Sequence, residues 1–465
     1  MFNKRRQYLP ELLVFGGIFL LQFALFLSLT ETLTPDSYEY IAADGFSWLG
    51  GSLHRYRLPL YPMLIDICNA LSAQRGLTLV CVLQLFTHLL SIVVFYRAMQ
   101  RIAPRRWLNL TVTVFYSLAP AIMSWQRTLL TESLSLSLTV FLFYALICYL
   151  QENRTRQLLL AASVLVLGCL LRAVFALYAG MVFGFLLLRL LFPGKGEKAE
   201  RRTRRIHEAI LLPIAAVPIA LLLVYGAMFN AQYGAFTLSD SGTAQQLAVV
   251  LQQGYYTDAH DEELRELSRE FMTSDTLNET YAKELDTYYA KLYNNGWTAA
   301  GFFRSDRVYP PRCYIMEHYD HARINAFVAD AKQAHLQEYL TFLSNTTRAR
   351  FYGLKTYRED SGMAAYEGVL LPQTFTLLHA IFIGVAELML FVFLLIKRKQ
   401  PFWLHLGLAG FLLATGLLAV FGTNADFART AQTLLPFVYA AAGLWAHMLL
   451  DRLVKTQNAP CVNAL

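Results

Sequence analysis

Residues Leu12–Leu29 read LLVFGGIFLLQFALFLSL, and Thr34–Pro62 follow as TPDSYEYIAADGFSWLGGSLHRYRLPLYP. The first stretch carries no charge and approaches the roughly 20 apolar residues that cross a bilayer core. Lys4, Arg5 and Arg6 precede it as they would in a signal peptide. The run is longer than a signal core and lacks a small-residue cleavage site, which predicts a retained first membrane helix. The second stretch reverses the chemistry, packing carboxylates, bases, rings and prolines into one connector.

The same apolar signature recurs along the chain. Candidate spans are 11–30, 76–97, 107–124, 132–150, 157–173, 174–192, 208–228, 372–396, 402–421 and 431–450. The expected class is an all-α polytopic membrane protein with about 10 transmembrane helices. Composition agrees: 56% of the 465 residues are hydrophobic, 16% are charged, and mean hydropathy is +0.38. A soluble fold does not carry that balance. The net charge of +7 does not point to nucleic acid, because the basic residues sit in short connectors between apolar runs. Cys68, Cys81, Cys148, Cys169, Cys313 and Cys461 are scattered with no CxxC pair, which predicts packed thiols rather than a disulfide frame or zinc site.

The connectors set an expected orientation. With a cytoplasmic N terminus, the inner connectors hold Lys4–Arg6, Arg97–Arg106, Arg154/Arg156, Arg189–Arg205, Lys397–Lys399 and Arg452/Lys455. Each is basic, as the positive-inside rule requires. Both termini are then cytoplasmic in a plasma-membrane protein. The expected organisation is an N-terminal membrane domain over 1–228 with a catalytic first external loop at 31–62. A mostly helical extracytoplasmic cap follows at 229–371, then membrane helices and a tail over 372–465. The cap holds 19 acidic and 13 basic residues, and its helical spacing places acid and base at i,i+3 and i,i+4.

Polar residues outside the cap collect on the outer face: Asp36, Glu39, His54, Arg55, Arg57, Arg127, Glu132, Arg172, Asp426 and Arg429. Ionisable groups near membrane depth are costly and mark function. Arginine clamps phosphate, and a carboxylate can take a proton from an attacking hydroxyl. Plainer uses compete. Asp36 could cap a helix starting near Ser37. Glu39 could lie on a helix surface, and Glu132 could complement a helix dipole. Arg172 and Arg429 could be interfacial anchors. Tyr38, Tyr40, Trp48, Tyr56 and Tyr61 could form an interfacial aromatic belt or stack on sugar, and lone His54 reads as structural.

Four short motifs decide the weighting. PDSYEYIAADG after the first span, RLPLYPML after the loop, LLTESLSLSL at the fourth span, and Arg429 followed by LLP up to Pro436 resemble the glycosyltransferase C superfamily. The nearest groups are the protein O-mannosyltransferase-like and aminoarabinose-transferase-like enzymes. The resemblance implies a membrane enzyme that moves a sugar from a polyprenyl-phosphate donor, with inversion, on the extracytoplasmic side. It maps the first-loop acid onto Asp36, as base or metal-linked carboxylate, and the fourth-span acid onto Glu132. Arg57, Arg172 and Arg429 are placed as substrate-binding by position, with Glu39 and Tyr61 beside them. Many members carry two adjacent acids where this chain has Asp36-Ser37, so a divalent metal stays open, and no other cofactor is implied. The expected partners are the lipid-linked donor, a glycan, lipid or protein acceptor, and membrane lipids. A transporter or flippase would place charge at the midplane within repeats, which is not the pattern here. A glycan polymerase or ligase is the neighbouring enzyme class, and a non-catalytic scaffold would leave the charged residues idle.

Overall fold

The computed structural model describes residues 8–29, 31–123, 125–192, 198–292, 307–352, 377–397, 402–422 and 432–457. Described residues form helices and turns, with a single isolated bridge between Thr32 and Thr128. Helix α1 is Leu9–Ser28, and α2 (Pro35–Ala42) and α3 (Leu60–Leu71) lie in the first connector. Then come α4 (Gly76–Ile102), α5 (Arg106–Ser117), α6 (Pro120–Met123), α7 (Glu132–Glu152), α8 (Thr155–Leu171), α9 (Val174–Leu191) and α10 (Lys198–Tyr233). The cap contributes α11 (Ser241–Gln253), α12 (Glu262–Thr273), α13 (Asp275–Leu292), α14 (Tyr309–His318), α15 (His321–Ala334) and α16 (Leu336–Tyr352). Helices α17 (Leu377–Ile396), α18 (Phe402–Gly422) and α19 (Leu435–Gln457) complete the described chain.

Among the described residues, six helices are long and apolar enough to cross a membrane: α1, α4, α7, α9, α17 and the 205–233 part of α10. Three apolar helices are shorter, Leu60–Leu71, Thr155–Leu171 and Trp403–Ala419. The expected span at 107–124 is not one helix. It ends at Ser117 and restarts at Pro120, because proline has no N–H to continue the ladder and disfavours helical backbone before it. A helix end at this depth leaves carbonyls without partners. Gln22 of α1, buried at 2% exposure, answers one of them by donating from Nε2 to the Ser117 carbonyl at 2.5 Å.

The main apolar core brings together α4, α5, α7, α8, α9, α18 and α19 around Phe95, Tyr116, Phe143, Phe175, Tyr178 and Phe437. Tyr178 pins it, donating to Thr433 at 3.0 Å while Thr415 donates to it at 3.3 Å. The cap has its own core, in which α11, α12, α14 and α15 bury Leu247, Leu264, Ile315 and Phe327. A smaller cluster of Tyr38, Ala282, Leu285, Tyr309 and Cys313 seats the cap on α2. Cys68, Cys81, Cys148, Cys169 and Cys313 are free and buried, as packed thiols should be. Cys461 lies outside the described residues.

Candidate active site

Local sequence chemistry explains why α2 presents its acids. Thr34 is the N-cap, accepting from the Ser37 amide at 3.3 Å, and Ser37 Oγ accepts from the Thr34 amide at 2.9 Å. This reciprocal cap satisfies two N-terminal donors, so Asp36 is not needed for capping. Ser37 Oγ also donates to the Leu129 carbonyl at 2.8 Å, tying α2 to the turn before α7. The serine that replaces a second acid thus holds the helix in place.

One turn apart on α2, Asp36 and Glu39 meet the same guanidinium. Arg57 Nη2 donates to Asp36 Oδ1 at 2.5 Å, and Arg57 Nε donates to Glu39 Oε2 at 2.7 Å. The guanidinium lies over the Tyr40 ring, 4.6 Å from its centroid. Tyr309 of the cap donates to the other Glu39 oxygen at 2.6 Å. Glu39 is therefore a buried junction between loop and cap, whereas the Asp36 side chain keeps 23% of its surface.

His54 shapes the turn that delivers Arg57. Its Nδ1 accepts from the amides of Tyr56 at 3.2 Å and Arg57 at 3.1 Å, so the ring must be neutral with its proton on Nε2. Burial, helped by Arg57 and opposed by Glu39, lowers its pKa to about 4, consistent with that state. Arg55 latches the loop to the cap: it donates to Asp240 at 2.5 Å and to the Met316 carbonyl, and Asp240 also meets His321 Nδ1 at 2.7 Å. Ser241 Oγ adds a bond to the Tyr56 carbonyl at 2.9 Å.

These contacts enclose a cleft of about 400 Å³ between loop, cap and helix ends. Asp36, Tyr40 and Arg57 line one side, Arg172 and Val174 the floor, and Arg312 with Thr237, Ser239, Ser241 and Gln245 the cap side. Arg172 pairs with Glu132 at 3.0 Å, with side-chain exposures of 15% and 0%. Arg312 lies 4.2 Å from the Tyr309 ring centroid and has no carboxylate within ion-pair distance among the described residues. Burial acts to lower its pKa, yet Cys313, Tyr309, Glu39 and Asp36 together raise it. Burial pushes the Cys313 thiol itself up to about 12.

The sequence-derived set divides accordingly. Asp36, Arg57 and Arg172 share the cleft. Glu132 does not meet it: at 1% exposure it stands behind Arg172, so the expectation of a group at the reacting atoms gives way to a partner of the arginine. Tyr61 does not meet it either. It is fully buried, donates to Gln84 at 2.6 Å, and supports Tyr40 edge-on with ring centroids 5.0 Å apart. Tyr38, Tyr40 and Tyr61 are core residues rather than an interfacial belt. Arg127 anchors the loop base, donating to the Phe26 carbonyl at 3.0 Å and pairing with Glu31 at 3.2 Å. Arg429 and Asp426 lie outside the described residues. Arg312 and the hydroxyl-bearing Thr237, Ser239 and Ser241 were not anticipated, since they come from the cap and carry no local motif.

A metal fits poorly between the two α2 carboxylates. Arg57 occupies that position, and no group of three or more metal-ligating side chains occurs among the described residues.

No protein-family model and no curated protein sequence matches the chain. Among solved structures it is similar to the S. cerevisiae protein O-mannosyltransferase Pmt1-Pmt2 complex bound to the sugar donor. That match has 15% identity and a TM-score of 0.38, covering 52% of this chain and 36% of the other. It is also similar to the Archaeoglobus fulgidus oligosaccharyltransferase AglB in complex with an inhibitory peptide and a dolichol-phosphate, at 12% identity and a TM-score of 0.47, covering 98% and 53%. The apo form of the Archaeoglobus fulgidus enzyme gives 12% identity and a TM-score of 0.48, again covering 98% and 53%. The chain thus spans between about a third and about half of these proteins' length. Likenesses this distant leave the chemistry to be argued from the cleft.

Proposed function

We propose that the chain is an integral membrane glycosyltransferase that takes a sugar from a polyprenyl monophosphate and passes it, with inversion, to an acceptor hydroxyl. The observation that carries the reading is one cleft holding an oriented carboxylate, Asp36, opposite an arginine without a carboxylate partner among the described residues, Arg312. Asp36 receives the acceptor's proton as the hydroxyl oxygen bonds to the anomeric carbon and the bond from that carbon to the phosphate oxygen breaks. The departing phosphate gains one negative charge. Arg312 and Arg172 stand where that charge develops, a preorganised arrangement worth about 3 kcal/mol per donor group in a water-poor site. Arg57 orients Asp36, and Glu132 is the positioning residue for Arg172. The side chains of Thr237, Ser239, Ser241 and Gln245 offer hydrogen bonds to sugar hydroxyls. Basic connectors at the opposite ends of the helices favour a cleft on the extracytoplasmic side.

The test is transfer by the purified chain in lipid. The donors are a labelled sugar on a polyprenyl monophosphate and the same sugar on a nucleotide. Transfer from the lipid-linked donor alone is the expected outcome. Transfer from the nucleotide donor alone would reject the reading, as would lipid movement between leaflets with no new glycosidic bond.

A further inference from the structure

At the opposite ends of the helices that floor the cleft, α7, α9 and α18 leave an apolar groove of about 280 Å³. Phe143, Ile147, Met181, Phe185, Trp403 and Phe411 are among its walls. A second hollow of about 160 Å³ shares Ile147, Leu150, Trp403 and Leu404 with it and adds Arg101, Gln151 and Arg189. The two form one site with an apolar body and a basic mouth. Tryptophan and arginine at that mouth are the residues that mark a membrane–water boundary.

The mouth is built for an anion. Arg189 is 7% exposed, pairs with Glu208 at 2.9 Å and donates to Asn153 at 2.8 Å. Its Nη1 is buried with no hydrogen-bond partner, and a buried donor left unmet is costly. Arg101 lines the same mouth beside Arg189 and pairs with Glu152 at 2.6 Å, and Arg154, outside the hollow, also meets Glu152 at 3.6 Å. The site is separate from the proposed donor cleft. Leu188 lines the groove and Val174 the cleft, about 21 Å apart along α9 at 1.5 Å per residue. The two sites thus lie toward opposite ends of α9.

We infer that this groove binds an anionic phospholipid of the leaflet opposite the cleft, with an acyl chain between α7, α9 and α18 and its phosphate at Arg101 and Arg189. The inference does not depend on the transferase reading. Two glycines supply a clean test, because a Cβ built at Gly184 or Gly407 meets nothing within 4 Å, yet both line the groove. Leucine at either position starts from an unobstructed Cβ and carries its remaining carbons into the groove that the glycine lines.

The experiment is native mass spectrometry of the delipidated full chain, offered phosphatidylglycerol or phosphatidylcholine. Wild type is expected to retain phosphatidylglycerol about fivefold better, the effect of one cation near an anionic headgroup. Gly184→Leu and Gly407→Leu should lose the bound lipid, and Arg101→Gln should keep lipid but lose the preference. Equal retention of both lipids by wild type overturns the inference. So does undiminished retention by folded leucine variants, or displacement by equimolar polyprenyl monophosphate, which would assign the groove to the donor's tail. If neither leucine variant folds, the Arg101→Gln comparison decides.

Discussion

Helix α9 has a buried arginine–carboxylate pair at each end, and the two ends behave differently. Before its first turn Arg172 meets Glu132 at 3.0 Å, and in its last turn Arg189 meets Glu208 at 2.9 Å. Both carboxylates are almost fully buried. The difference lies in what surrounds them. Arg172 borders a polar cleft with Asp36 and Arg312 opposite. Arg189 stands beside Asn153 and beside Tyr149, which donates to Glu208 at 2.7 Å, and lines a small hollow that adjoins an apolar groove. A buried ion pair is weak evidence for stability or for function. The surroundings decide which of the two it serves.

Breaking the two ends should separate these roles. Arg312→Ala has the largest expected effect below loss of the base: a fall in kcat of about a hundredfold, the value of one preorganised donor, with the protein still folded. Steady-state kinetics on the lipid-linked donor check this, and a change in KM alone would move Arg312 out of the reacting site. Glu132→Gln comes next. It leaves Arg172 in place but loosely held, and should cost about tenfold in kcat, while Glu132→Asp recovers part of the loss. Glu208→Gln should lower thermal stability by about 3 kcal/mol, because it uncovers a buried charge. Transfer per folded molecule should be retained. If Glu208→Gln instead abolishes transfer in folded protein, the contrast between the two ends fails.

The smallest effect concerns pH. His54 is held neutral with a pKa of about 4 against an ordinary value of 6.5. The unfolded loop therefore takes up a proton first as pH falls, so its ordering energy is complete above about pH 6.5 and is lost progressively between there and about pH 4. Wild type should show an acid limb in that window. His54→Asn keeps an acceptor for the two amides but cannot titrate, and should flatten the limb; an unchanged profile would show that another group sets it.

What the sequence disclosed follows from how local each signal is. The Leu12–Leu29 run and the connectors of arginine and lysine need no tertiary contact to be read. Asp36 and Arg57 were legible because one loop carries both, within sight of a short motif. Pro120 was equally visible, but apolar composition across 107–124 hid its effect on the helix. Arg312 was out of reach, since it arrives at Asp36 through cap packing by Tyr309 and Cys313 on α2. Burial explains the remaining differences. The resemblance mapped an acid onto Glu132, and Tyr61 stood beside the placed arginines; only packing puts Gln84 over Tyr61 and Arg172 between Glu132 and the cleft.

The most direct test of the account is Asp36→Asn. The purified variant, shown folded by its melting curve, is given a labelled polyprenyl-monophosphate sugar in lipid. The account predicts donor binding within a few-fold of wild type and no detectable transfer, because asparagine keeps a bond from Arg57 but cannot take the proton. Transfer at the wild-type rate by the folded variant would contradict it.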